Sequence, residues 1–285
     1  MVLDTNRVVV LPFKTIGGAQ DSEDLGYGLV STLTSKLQPL QNLVIIANES
    51  ARKFKNTELS PKEIGQALQV GTIVTGEIQT DGSKVQVNIR VIDANTVSLG
   101  WGSTFTKTKD EFLDLQNEIA TQLASELKGG LDASETQQLA QKATENAEAQ
   151  AEYQAGRREW NKRNKESFVA AIELFNQAIT LDENFALAYV GIADVRLMET
   201  FYSISYPKVA IEKAREASEK ALEINLNLGE AVTNLAMITM SFDYDLIKAE
   251  ELFLKAMKLN PNHAITFTWG AVCANLTGRF DESLK

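Results

Sequence analysis

Few side chains in this 285-residue chain have a type and spacing that could carry chemistry. The single histidine, His263, follows Asn260-Pro261-Asn262 with no serine or cysteine nucleophile motif beside it, so it reads as a turn residue rather than a general base. The single cysteine, Cys273, lies among Ala271, Val272 and Ala274, where a small buried side chain is expected. One Cys and one His exclude a disulfide framework, a thiolate zinc site and a His-pair metal centre. Ile16-Gly17-Gly18 and Gly26-Tyr27-Gly28 stand where backbone amides could hold an anion. Neither completes a dinucleotide or P-loop pattern, and Asp21, Glu23 and Asp24 nearby would repel a phosphate. Glu250-Glu251 and Asp281-Glu282 are expected on solvated helix faces, because adjacency alone does not make an acid–base pair. The chain is therefore expected to be no enzyme and to need no cofactor or metal.

That leaves binding. By helical spacing from Gly156, Ala193 and Ala236, one face of the second half should present Tyr153, Arg157, Asp194, Thr233, Met237 and Met240 as a groove for a protein or peptide. Flexible Met side chains suit an adaptable apolar groove, and ordinary packing is the equal alternative for them. Phe201, Tyr202 and Tyr206 fall in an insertion and form a candidate binding loop, with capping of an extended helix as the alternative.

The elements that must position these residues change character near Gly129-Gly130. Hydrophobic residues make up 44% of the chain, enough for packed cores. Net charge is −10, with −3 before residue 130 and −7 after it, which argues against a phosphate-backbone partner. No run of about 18 apolar residues is present, and Met1-Val2-Leu3-Asp4 does not read as a signal peptide, so no membrane insertion is expected.

Residues 1–130 read β-α-β-α-β-β-β-α, an α/β domain with a mixed sheet. The continuous run at 7–13 (RVVVLPF) predicts a strand covered on both faces. Leu25, Leu29, Leu33 and Leu37 make a helical stripe stopped by Pro39. The stretch 43–47 (LVIIA) predicts a second buried strand, and Ser60-Pro61 a helix start. Asp81-Gly82 predicts a hairpin between strands at 72–80 and 84–92. In the latter, Val85, Val87, Ile89 and Val91 should face a core, and Gln86, Asn88 and Arg90 water. A third strand runs through Trp101 and Phe105, and Phe112, Leu115, Ile119, Leu123 and Leu127 predict a closing helix.

After a helical linker over 131–147, the segments AIELFNQAI (171–179), AREASEKAL (214–222) and AEELFLKAM (249–257) repeat one pattern. Ala178, Ala221 and Ala256 are spaced 43 and 35 residues apart, and Ser283 follows Ala249 by 34. A period near 34 with small residues at helix contacts marks tetratricopeptide repeats, about 3.5 of them over 148–285. Three extra residues near 161–165 and about nine between 198 and 208 lengthen two of them. The turn Leu276-Thr277-Gly278-Arg279-Phe280 opens a fourth unit that the sequence leaves incomplete, so a longer parent is expected.

These stretches carry a resemblance. Residues 7–13, Gly28-Leu29, 64–70 (IGQALQV), 74–78 (VTGEI), 91–96 (VIDANT) and 115–120 (LQNEIA) resemble TolB amino-terminal-like domains. Thr144, Asn146, Glu148-Ala149, Tyr153 and Gly156-Arg157 resemble the join to a tetratricopeptide array. The match departs at Gly26-Tyr27-Gly28, where such domains usually place an acidic residue before Gly-Leu. The tandem occurs in bacterial regulatory proteins beside an adenylate cyclase, Ser/Thr kinase or winged-helix DNA-binding domain. The resemblance thus implies a regulatory, non-catalytic region with no cyclase, kinase or DNA-binding segment of its own, and the expected groove makes it a protein- or peptide-binding scaffold within a larger signalling protein. It also allows a small-molecule sensor controlling an attached cyclase, kinase or DNA-binding domain. A membrane-tethered parent would place the region in the periplasm, a soluble one in the cytoplasm. Some such arrays grip a peptide's terminal carboxylate with Lys and Asn, whereas this face offers one Arg and one Asp.

Overall fold

The computed structural model describes residues 2–16 and 20–279, and the chain divides into two compact units, Met1–Lys142 and Ala143–Lys285. The expectations placed on Gly17-Gly18, Phe280, Asp281-Glu282 and Ser283 fall outside the described residues.

In the first unit a six-stranded mixed sheet runs β3 (Val44–Ile45), β1 (Arg7–Val10), β4 (Thr72–Asp81), β5 (Lys84–Asp93), β6 (Ser98–Thr108), with β2 (Lys14–Ile16) also pairing β4. The strand predicted at 7–13 ends at Val10 as β1, and a separate short strand, β2, begins just beyond the predicted stretch. Pro12 between them offers no N–H to a ladder. The chain steps past it, and β2 takes a later stretch of β4 (Thr72–Asp81), with Lys14 opposite Glu77. β1 is parallel to both β4 and β3 (Val44–Ile45). Val8 and Val10 enter one apolar layer and Val9 and Leu11 the opposite one, which explains the unbroken apolar run. The buried strand predicted at 43–47 shrinks to two residues, with Val44 exposed. It forms a sheet edge and the chain turns at once into α2 (Asn48–Arg52).

β4 and β5 (Lys84–Asp93) form a hairpin in which Gly82 takes φ 58° between paired Asp81 and Lys84. Val85, Val87, Ile89 and Val91 are buried, as the alternation predicts. The carboxylate of Asp93 accepts the N–H groups of Asn95 (2.7 Å) and Thr96 (3.2 Å), turning the chain into β6 (Ser98–Thr108). α1 (Gln20–Leu37) and α4 (Phe112–Lys128) bury Leu29, Leu33, Leu37, Leu115, Ile119 and Leu123 in one layer. α2, the turn after it and α3 (Pro61–Leu68) bury Ala51, Phe54 and Ile64 in the other. α3 opens with a reciprocal cap in which Ser60 Oγ accepts from Glu63 N–H and the Glu63 carboxylate accepts from Ser60 N–H. The Ser60 hydroxyl, which also donates to the Glu63 carboxylate, and the Ser60 N–H hold that carboxyl below its usual range. α4 stops at Gly129, φ 70°.

The segment expected to be a linker divides. α5 (Ala133–Ala140) packs on α4 in the first unit, while α6 (Ala147–Trp160) opens the second. Leu139 is the one residue of α5 that is fully buried, a contribution of about 1.5–3 kcal/mol.

The second unit stacks antiparallel helix pairs: α6 with α7 (Lys165–Leu181), α8 (Ala186–Phe201) with α9 (Pro207–Ile224), and α10 (Gly229–Ser241) with α11 (Leu246–Leu259), followed by α12 (Ala264–Leu276). The small residues act as the repeat pattern predicts. A Cβ on Gly156 or Gly191 would lie 2.6 Å from the Phe175 ring, so both neighbouring helices close directly onto that side chain. The extra residues near 161–165 form a turn with Arg163 at φ 56°, after which Asn164 caps α7. The longer insertion extends α8 to Phe201 and then turns through Ser203 (φ 54°) into α9.

Candidate partner-binding face

The first helices of the pairs are tied side to side by a polar ladder. Arg157 on α6 donates to Asp194 Oδ2 on α8 at 2.7 Å, and Asn234 Nδ2 on α10 donates to Asp194 Oδ1 at 2.9 Å. Asp194 thus bridges three successive pairs, with its side chain 16% and that of Arg157 23% exposed. The Arg157 guanidinium also lies 4.3 Å from the centre of the Trp160 ring, and that of Arg163 lies at 3.4 Å from it. Arg157 is therefore already engaged with a carboxylate and an aromatic face, an arrangement that leaves it poorly suited to grip a peptide's terminal carboxylate.

The other positions named for this face divide. Tyr153 packs its ring against Phe175 (5.7 Å) and Phe185 (5.1 Å). Thr233, Met237 and Met240 do not line an open groove: they are 0%, 2% and 4% exposed. The reason is the position of α10, which packs against α8, α9, α11 and α12 together. The two methionines fill a layer with Ala193, Leu197, Ala214 and Phe253. Thr233 shares a hydroxyl hydrogen bond with Thr266 of α12 (2.6 Å), which in turn meets His263 Nδ1 at 2.7 Å. His263 thus sits at the start of α12 as a turn residue. Cys273 is buried, and burial raises its thiol pKa. Glu250 pairs with Arg279.

In the insertion, Phe201 stacks on Trp269 of α12 at 5.2 Å, and Tyr202 meets Phe168 edge-on at 5.8 Å. Phe201 and Tyr202 are half-exposed and Tyr206 is 73% exposed just ahead of Pro207. Capping and exposure coexist there: two of the rings close the extended helix while keeping an outer face in water. Trp269 and Met198 pack against the same layer as the buried methionines. Asn234 is thus a member of the ladder that helical spacing missed, and its partner Asp194 lies on another pair, so nothing local in the sequence marks it.

In the first unit, a Cβ on Gly26 would meet Ile78 of β4 at 3.3 Å, so that glycine serves a close helix–sheet approach. Tyr27 accepts a hydrogen bond from Arg52 at 2.6 Å. Among the described residues no group of three or more His, Cys, Asp and Glu gathers to hold a metal, and no helix is long and apolar enough to cross a membrane.

Residues 5–122 match the family model of the second domain of HilA/YgeH-like transcriptional regulators. The transcriptional regulator HilA of Salmonella paratyphi A is 25% identical over 289 residues, covering 99% of this chain and 49% of that protein. A protein of Rhizobium meliloti that carries an adenylate cyclase name is 20% identical over 192 residues, 67% of this chain and 33% of its own length. The chain therefore spans a third to a half of these relatives. Among solved structures, TolB from Acinetobacter baumannii is similar over 45% of this chain and 30% of its own (13% identity, TM-score 0.33). YrrB, a tetratricopeptide-repeat protein described with a peptide-binding site, is similar over 61% of this chain and 78% of its own (18% identity, TM-score 0.33).

Proposed function

We propose that this chain is a non-catalytic, protein- or peptide-binding scaffold region within a longer bacterial regulatory protein. Its role is regulatory or protein-binding in kind, in keeping with relatives named for a transcriptional regulator and an adenylate cyclase. The observation that carries the finer reading is the ladder from Arg157 through Asp194 to Asn234, which holds three first helices as one prearranged surface; the exposed rings of Tyr202 and Tyr206 in the insertion offer further anchors. Such a surface recognises by shape and by rigid aromatic anchors, at low entropic cost on binding. A small-molecule sensor acting near Gly28 is the alternative reading, and a ligand-dependent rise in melting temperature would favour it. The exclusion of nucleic acid rests on charge alone, and the regulator name among the relatives makes it a point to test.

Peptides selected by display on the full chain should bind saturably, and Asp194→Ala or the pair Tyr202→Ala with Tyr206→Ala should weaken them about tenfold, roughly 1.4 kcal/mol. Duplex DNA added at the same salt should give no saturable signal. Absence of any saturable peptide, or peptides indifferent to all three substitutions, would remove the scaffold reading.

A further inference from the structure

We propose that the outer edge of β6 pairs with the same edge of a second copy of this chain, antiparallel and about a two-fold axis through Thr104. β6 is the last strand of the sheet, and no described strand pairs its outer side. The direction of its backbone groups follows from the ladder with β5. Lys109 N–H donates to the Ser83 carbonyl at 2.7 Å. In an antiparallel pair, residues that bond to the neighbouring strand alternate with residues that point away from it. The tight β4–β5 hairpin sets the same phase: Lys84 closes it against Asp81, and Thr108, opposite Lys84 on the other side, is left facing out. Gly102, Thr104 and Thr106 therefore also turn their N–H and C=O groups to the open edge.

Open edges are ordinarily protected by Pro, by charge or by a bulge. β6 has a bulge at its start, where Gly100 stands unpaired between the Leu99–Ile92 and Trp101–Val91 pairs. From Trp101 to Thr106 it has no Pro and no charged residue. Gly102 sharpens the point. A Cβ on Gly76 of β4 would lie 2.5 Å from the Asn88 carbonyl, so the fold itself requires that glycine, whereas a Cβ on Gly102 would meet nothing closer than 3.4 Å. A strand-interior glycine that its own sheet does not demand suits the close approach of another backbone. The order of residues along the edge selects a second copy as that backbone. An axis at Thr104 sets Gly102 opposite Thr106 of the second copy, and each such pair exchanges both of its N–H···O bonds. The same register places Lys107 opposite Trp101 of the second copy, whereas parallel pairing would bring the two Lys107 side chains together. Selection of a foreign strand needs side-chain pockets or charge, and 101–106 offers no charge for it. A single strand edge buries less than the roughly 1,200 Å² of a stable interface, so the dimer is weak and forms with rising concentration.

Sedimentation of the full chain from roughly 1 μM to about 1 mM, the span over which a weak interface saturates, should show a reversible monomer–dimer equilibrium. Across the same range the amides of Gly102, Thr104 and Thr106 should gain protection from hydrogen exchange, while those of Ser103 and Phe105, already bonded to β5, stay as they are. Thr104→Lys sets like charges face to face on the axis and should weaken the dimer at least about fivefold, with the thermal midpoint of the chain unchanged. Mild oxidation should link Thr104→Cys into a covalent dimer, with buried Cys273 left in place. Gln79→Cys, exposed on β4 away from the edge, should stay unlinked under the same conditions. Any one of three results overturns the proposal: a chain monomeric throughout, a dimer indifferent to Thr104→Lys, or Thr104→Cys linking no faster than Gln79→Cys.

Discussion

The two units solve the same problem in opposite ways. The α/β unit closes by pairing segments far apart in the chain: Val8 lies beside Thr72, and Thr72 beside Asp93, so a defect anywhere in β4 is felt across the sheet. The array closes by neighbours, each pair resting on the next, as where Phe175 is held between Gly156 and Gly191. Stability in the first should behave as a whole, and in the second as a sum of pair and interface terms. A chain built this way can vary the surface of one pair without re-registering a sheet, which suits the array to recognition.

The sharpest way to break that comparison is Phe175→Ala. Its ring is wholly buried, and truncation should cost about 3–5 kcal/mol, lowering the urea midpoint of the array. Hydrogen exchange in β4 and β5 should stay as in the unaltered chain; a common loss of protection in both units would show that they unfold as one.

Asp194→Ala should cost less, about 1–2 kcal/mol, since the ladder is partly solvated. A double-mutant cycle with Asn234→Ala should reveal coupling between α8 and α10, and strict additivity would mean that the ladder does not tie the pairs together.

The smallest effect belongs to Lys36, whose pKa burial lowers from 10.5 to about 8. Below pH 8 the amine is charged in both folded and unfolded chains, and the folded state bears the desolvation cost. Between pH 8 and 10.5 the unfolded chain holds more protons, so unfolding free energy of the α/β unit should rise with pH; the full shift corresponds to about 3.4 kcal/mol, which solvent screening of the partly exposed amine reduces to on the order of 1 kcal/mol. Lys36→Met should flatten that rise, and an equal slope in the variant would assign it to other groups.

What could be read ahead of the structure was local. The leucine stripe of α1, the alternation of β5, the Ser60 cap and the small residues of the helix pairs each depend on neighbours a few positions away, and each appears as expected. Pro12 was visible too, although its power to end the first strand depends on where β4 runs. The misses share a cause. Met237 and Met240 have the spacing of an open face, but burial by four neighbouring helices is not a property of their own segment. Asp194 meets Asn234 across 40 positions and Lys36 meets Leu139 across 103, and no periodicity encodes such pairings.

The stack of Phe201 on Trp269 joins α8 to α12, two helix pairs along, and so departs from strict neighbour-by-neighbour order. Pulled from its far end in an optical trap, a simple stack would give up its helices in succession. Here α12 is pinned to α8 behind α10, and the force trace should show α8 to α12 yielding in one rip, which Phe201→Ala would divide into smaller steps.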